Sequence, residues 1–294
     1  VISNHEGEPF NQVTPVLEAD YDDLRLQILH HTVAPSGINM TIRKTPFIQR
    51  IKPEEVEETG YASGLLTRLF REAVKKKMSF VIGGETGAGK TEFVKLLCSF
   101  IPSSQATITV EDTSELHLTK LFPGRNIIEL KMNERFSYSD AIRSALRMNP
   151  DWILLSEARG EEIAKLMEAR SSGHGIITTL HFKGTTLLAE RIINMYGNEN
   201  KPSDEQITDM VYDYFDFVVH IAITKTATST HRYINEVSCY TRESKDKREI
   251  TTIYRRNHDG TFDFYPLPES VREQIGRPKI LRKWDEECQK TKER

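Results

Sequence analysis

The sequence is notable first for what is scarce. No apolar run approaches the roughly 18 residues that would span a bilayer as a helix, and no secretory leader is expected ahead of the fold. The three cysteines, Cys98, Cys239 and Cys288, are far apart and odd in number. That spacing fits neither a zinc module nor a disulfide framework and points to a reducing compartment. A net charge of −3 on 294 residues leaves no surplus of one sign. Without a basic, aromatic-bearing stripe, direct nucleic-acid binding is not expected. Internal repeats and low-complexity tracts are also missing. The first residue is Val1 rather than Met, so a trimmed N-terminus is expected. What remains is an ordinary soluble composition, 38% hydrophobic and 28% charged, long enough for one large domain or two modest ones.

Residues 1–20 are polar, proline-containing and aperiodic, and read as a frayed lead-in or the remnant of a longer N-terminal region. Leu24, Leu26 and Ile28 then alternate, as does Ile38–Arg43, with Pro35-Ser-Gly as a turn between them. Residues 1–50 therefore read as a small N-terminal domain. The acidic stretch 51–60, with Pro53 and a closing Gly60, reads as a linker. Leu65, Leu66, Leu69, Phe70 and Val74 share one helical face, and Lys75–Lys77 suit the end of that helix. Short apolar runs then alternate with helices. Strands are expected at Phe80–Ile82, Thr107–Val110, Asn126–Leu130, Trp152–Leu155 and Gly175–Thr179. Helices are expected at Thr91–Phe100, Ser139–Arg147, Gly160–Ser171 and Thr185–Met195. That order predicts an α/β domain over 61–268 with a mostly parallel sheet. Phe217–Ile223, Ile234–Tyr240, Ile250–Arg255 and Phe262–Tyr265 add antiparallel strands, with Asp259-Gly260 as a hairpin turn. The charged segment 269–294 reads as a surface helix or a loose end.

Gly83–Glu92 reads GGETGAGKTE and contains G-x-x-x-x-G-K-T from Gly84 to Thr91. It lies between an expected strand and an expected helix, the context a phosphate-binding loop requires. Glycines at 84, 87 and 89 let the backbone curl with its N–H groups inward, and the following helix contributes the positive end of its dipole. Lys90 can set an ammonium on the β- and γ-phosphates, and Thr91 a hydroxyl on Mg²⁺. The nucleotide cradle is thus Gly84, Glu85, Thr86, Gly87, Ala88, Gly89, Lys90, Thr91 and Glu92, and the ligands it implies are ATP and Mg²⁺.

Two later strands, TITVEDTSE (107–115) and DWILLSEAR (151–159), end in carboxylates at the sheet edge where ligands bind. Glu111, Asp112, Glu115 and Glu157 are candidates to hold the metal or activate water; singly, such acids more often cap helices or face solvent. Thr91, Glu111 and Glu157 make up the candidate metal set. In Gly173–His181, GHGIITTLH, His174 and His181 flank a short strand. They are candidates to sense the γ-phosphate, with a purely structural role as the alternative, and no third ligand suggests zinc.

These four elements, in this order, resemble the secretion-superfamily traffic ATPases, the motors of type II and type IV secretion and of type IV pili. The resemblance covers roughly residues 20–265 and is most specific in IPSSQATITVEDTSEL and ALRMNPDWILLSEARG. Thr113, where the pilus-retraction branch usually has proline, favours the branch of type IV secretion, conjugation and tight-adherence pili. The resemblance implies a RecA-like ATPase domain behind a small α+β N-terminal domain, assembled as a homohexamer. It further implies inner-membrane platform and coupling proteins as partners, and a cytoplasmic protein peripheral to the membrane. Arginines of the N-terminal domain approach the phosphates in this family; Arg43 is the best match and Arg50 a weaker one. Arg147 and Arg159 fall in matching motifs and would serve a neighbouring subunit or a relay between sites. Departures are Ser156 for the usual glycine, Glu92 for a second threonine, Phe182-Lys183 after the second histidine, and Asn149 for a basic residue. The tetracysteine module of the type II systems is absent. A RecA-like nucleic-acid motor and a nucleotide-dependent switch with little turnover remain the alternatives, and the residues leave open whether Glu111 or Glu157 is the general base.

Overall fold

The computed structural model describes residues 2, 9–133, 135–160, 162–197, 201–244 and 247–294. Val1, and Glu161 within the helix expected over 160–171, lie outside them. Three antiparallel strands form the N-terminal sheet: β1 (Val16–Tyr21), β2 (Leu24–Leu29) and β3 (Asn39–Lys44), in the order β1-β2-β3. The lead-in read as ending at residue 20 is thus partly strand. Leu17 and Ala19 alternate inward and pair in register with Ile28 and Leu26, a signal too short to stand out behind Pro9 and Pro15. The Asp22-Asp23 pair turns the chain between β1 and β2, with Asp22 in the left-handed region, where aspartate is among the residues tolerated.

Helix α1 (Gly64–Lys75) is capped by the Ser63 side chain, which accepts from the Leu65 N–H at 3.1 Å. A nine-stranded sheet follows: β4 (Phe80–Gly83), β5 (Thr107–Glu111), β6 (Ile127–Lys131), β7 (Trp152–Leu155), β8 (Gly175–Leu180), β9 (Phe217–Lys225), β10 (Thr230–Ser244), β11 (Lys247–Arg256) and β12 (Phe262–Phe264). Its order is β12-β11-β10-β9-β4-β8-β7-β5-β6. The run from β9 to β6 is parallel, and β10 to β12 are appended antiparallel. The connecting helices are α2 (Lys90–Ser99), α3 (Leu118–Leu121), α4 (Tyr138–Arg147), α5 (Glu162–Ser171), α6 (Leu188–Met195, after a 3₁₀ turn at Thr185–Leu187) and α7 (Asp204–Tyr214). Alternate residues of each central strand enter opposite cores. Phe80, Ile82, Trp152, Leu154 and Ile177 pack toward α1 and α2, while Val81, Ile153, Leu155 and Ile176 pack toward α4, α5, α6 and α7. This two-sided burial explains why the strands read as continuous apolar runs.

Two segments differ from the sequence reading. The charged 269–294 forms helices α8 (Glu269–Ile275) and α9 (Pro278–Glu293), which dock rather than hang loose. Trp284 is fully buried, its indole N–H donating to the Tyr265 carbonyl at 2.9 Å, and Val271, Ile275 and Cys288 join the same core. The stretch Ile51–Gly60 is also anchored. Val56 is buried in that core, the Gly60 carbonyl accepts from Arg256, and His231 Nε2 lies 3.1 Å from the Thr59 carbonyl.

Candidate nucleotide site

The parallel strands β4, β5, β7, β8 and β9 end along one edge, and the loop 84–89 crosses it between β4 and α2. Gly84 has φ 155°, and a Cβ there would stand 2.5 Å from the Ile221 carbonyl oxygen, so only glycine lets the loop pass β9. The N-cap of α2 is Gly89, which offers no side-chain acceptor. The first N–H groups of α2 thus have no side-chain cap, and an anion would satisfy them. The departure at Phe182 also has a physical account. Its ring lies where a Cβ on Gly83 would be, 2.0 Å away, so the ring fills the space that glycine leaves at the end of β4.

Lys90 is only 9% exposed. Its ammonium donates to the Gly84 and Glu85 carbonyls at 3.0 and 3.3 Å and lies 3.4 Å from His181 Nδ1. Burial pulls the Lys90 pKa down, and Glu157 and Glu115 counter it. Glu157, at the end of β7, pairs with His181 (2.6 Å) and with Arg159 (2.6 Å), and Arg159 reaches on to Asp112 at 3.1 Å. Burial would raise the Glu157 carboxyl, but Arg159, His181 and Lys90 outweigh it and hold it below its ordinary range.

Glu111 ends β5 and is 3% exposed. Its Oε2 accepts from the Glu115 and Leu116 N–H groups at 3.0 and 3.1 Å. Burial nonetheless pushes its pKa up to about 7 against those bonds. Glu115 accepts from the Thr91 hydroxyl at 3.2 Å and meets Arg43 and Arg25, each at 3.3 Å. Glu92 pairs with Lys95 at 3.1 Å and accepts from the Arg50 backbone N–H at 3.3 Å. The edge thus gathers Lys90, Thr91, Glu92, Glu111, Asp112, Glu115, Glu157, Arg159, His181 and Arg43 around the loop Gly84, Glu85, Thr86, Gly87, Ala88 and Gly89.

Two expected residues are not brought there. His174 precedes β8, whereas His181 follows it. The strand places them at opposite edges of the sheet, about 20 Å apart at roughly 3.3 Å per residue. His174 Nδ1 instead lies 2.8 Å from the Pro150 carbonyl. Arg147 ends α4, exposed, just ahead of the start of β7, on the same far edge. Two residues were missed. Arg25 sits directly across from Arg43 in the β2–β3 ladder, and the Arg232 Nε–H on β10 donates to the Gly87 carbonyl at 2.8 Å. Neither lies in a motif, so only strand pairing reveals them.

Among the described residues no group of three His, Cys, Asp or Glu could hold a metal unaided. A nucleotide-borne Mg²⁺ needs only one or two protein oxygens and completes its shell from phosphates and water. Thr91 Oγ1 and Glu115 Oε2, 3.2 Å apart, are the hard oxygen donors suited to it, with Glu157 also at this edge.

The family model described as "Type II/IV secretion system protein" matches residues 13–254. Type IV secretion system protein VirB11 of Brucella suis biovar 1 is 32% identical over 248 residues, covering 72% of this chain and 67% of that protein. An uncharacterized protein of Bacillus anthracis is 29% identical over 238 residues, 80% of this chain; the matched part is only 53% of that longer protein. The crystal structure of the Brucella suis VirB11 ATPase in complex with sulphate superposes with a TM-score of 0.51 at 29% identity, covering 80% of this chain and 77% of that one. The pilus retraction motor PilT with bound ADP shares the fold, at a TM-score of 0.58 and 17% identity over 92% of this chain and 68% of that one. With its phosphate-binding loop on a RecA-like sheet and a family match running from the N-terminal sheet into β11, this chain belongs to the type II/IV secretion system protein family.

Proposed function

We propose that the chain is the ATP-hydrolysing motor subunit of a secretion, conjugation or pilus machine. The observation that carries this reading is the convergence of Lys90, Thr91, Glu111 and Glu157 on one sheet edge at a loop whose helix lacks a side-chain cap. Lys90 binds the β- and γ-phosphates, and the N–H groups of 84–91 hold their oxygens. Mg²⁺, held by Thr91 with Glu115 and Glu157, neutralises phosphate charge when it is bound. The two candidate bases differ in environment. Glu111, with a pKa near 7, can take a proton from the attacking water at neutral pH, whereas Glu157 stays ionised between His181 and Arg159. We therefore assign Glu111 as the proton acceptor and Glu157 as the group that fixes His181 and the cation. Arg43 faces the same space from the N-terminal sheet and supplies positive charge to the transition state.

In this reading subunits close into a hexamer, with the exposed Arg147 and the relay through Arg159 facing neighbours. The ring docks on inner-membrane platform and coupling proteins from the cytoplasmic side. No helix among the described residues is long and apolar enough to cross a membrane. Nucleotide tightens the contact between residues 1–50 and 61–268, and phosphate release loosens it. Phosphate release is the test. Lys90→Ala and Glu157→Gln should each lower turnover by about 100-fold or more, and equal rates in the variants and the parent chain would sink the motor reading.

A further inference from the structure

Arg25 and Arg43 stand directly opposite one another on β2 and β3, an arrangement that like charges disfavour unless an anion lies between them. The anion there is Glu115. Both guanidinium groups reach its Oε1, at 3.3 Å each, while its Oε2 accepts the Thr91 hydroxyl at 3.2 Å. One carboxylate therefore ties the N-terminal sheet to the side chain that would face Mg²⁺. The site that would receive phosphate already contains an anion holding its cations.

We propose that Glu115 is a resident stand-in for the nucleotide's phosphates: it docks the N-terminal arginines over the loop while the site is empty and surrenders them when ATP arrives. The inference rests on the nucleotide reading above and adds a competitor to that site. The geometry suits an exchangeable contact. Arg43 is 63% and Arg25 31% exposed at the side chain, so water screens both pairs and each is individually weak. Phosphate oxygens accept bidentate guanidinium bonds and carry more charge than one carboxylate, so the exchange runs toward phosphate. Glu115 is then left beside Thr91, free to turn toward the incoming cation. Its backbone stays in place throughout, because its N–H remains bonded to the buried Glu111.

Other contacts between the sheets do not involve Glu115. Asp20 pairs with Lys131 at 2.6 Å and accepts from the Ser114 N–H at 3.4 Å. Thr45 lies 3.4 Å from His117 Nε2, and the Phe47 ring meets His117 edge-on at 4.6 Å. Losing the Glu115 contacts should therefore loosen the N-terminal sheet about these points rather than release it.

The experiment compares the parent chain with Glu115→Gln, Arg25→Gln/Arg43→Gln and Lys90→Ala. Binding is read with a fluorescent ATP analogue in chelator, so that Glu115 has no metal role. Domain distance is read between spin labels on Val33→Cys and Glu168→Cys, the native cysteines being buried. Glu115→Gln should bind the analogue about tenfold more tightly, the equivalent of about 1.4 kcal/mol, and without nucleotide its distance distribution should broaden. Arg25→Gln/Arg43→Gln should broaden the same distribution but bind more weakly; opposite changes in binding behind the same broadening are a pattern that general loss of structure would not give. Unchanged or weaker binding by Glu115→Gln, with the parent chain binding normally, overturns this inference alone. Absence of binding in the parent chain, matching Lys90→Ala, overturns it together with the nucleotide reading.

Discussion

Glu111 offers a test that needs no ligand. Its carboxyl sits at the end of β5 with 3% exposure and a pKa of about 7, set first by burial and only partly offset by the Glu115 and Leu116 N–H groups. In the unfolded chain the same carboxyl titrates near 4.5. Between these values the folded protein holds a proton that the unfolded chain has lost, so stability falls as pH rises. The contribution is fully present below about pH 4.5 and is lost as pH passes through about 7. A gap of roughly 2.5 pH units at about 1.4 kcal/mol each gives about 3.5 kcal/mol. Glu111→Gln keeps an oxygen to accept the two N–H bonds but cannot ionise, so it should remove this dependence. Urea denaturation of the metal- and nucleotide-free protein at pH 5 and pH 8.5 reads it directly. The parent chain should lose up to about 3 kcal/mol more than Glu111→Gln across that interval. Parallel stability curves for the two proteins would mean that the Glu111 pKa is ordinary, and its assignment as a proton acceptor near neutral pH would fall with it.

Two further outcomes are expected. His181→Gln breaks the contact with Glu157 at 2.6 Å and the approach to Lys90 at 3.4 Å. It should slow phosphate release by at least about tenfold, whereas His174→Gln, on the far edge, should leave the rate within about twofold; equal effects would refute the assignment of the two histidines to opposite edges. Trp284→Ala empties a fully buried site on α9 and removes the bond to the Tyr265 carbonyl. It should cost about 3–5 kcal/mol, and a denaturation midpoint shifted as little as that of an exposed-residue variant would show that α9 is not part of the core.

Legibility in the sequence followed how local each feature is. The loop Gly84–Thr91 was readable because its chemistry lies within one strand–turn–helix unit, and the structure places it on the expected edge. The parallel strands were readable because both faces are buried. The docking of α9 was missed because its many charges mask a stripe: Leu281, Trp284 and Cys288 fall at helical spacing and face one core. Strand β1 was missed because its two buried residues, Leu17 and Ala19, are too few to establish a period. His174 was misplaced for a related reason. Two histidines bracketing a strand look equivalent in a motif, but the strand's own length puts one at each edge of the sheet.

Arg25 is the most instructive miss. In LRLQIL it alternates with apolar neighbours, the pattern of any half-exposed strand residue. Its meaning appears only when β3 pairs in register, setting Arg43 across from it and Glu115 beneath both. The same turn after β5 that supplies Glu115 also supplies the two N–H groups on Glu111. One short segment, 111–116, therefore orients the buried acid Glu111 and the half-buried Glu115 together. A change at Glu115 that shifts this backbone would disturb Glu111 as well, whereas Glu115→Gln alters charge at nearly constant shape. That distinction is why charge-neutral, shape-conserving variants can separate the docking role of Glu115 from the proton-accepting role of Glu111.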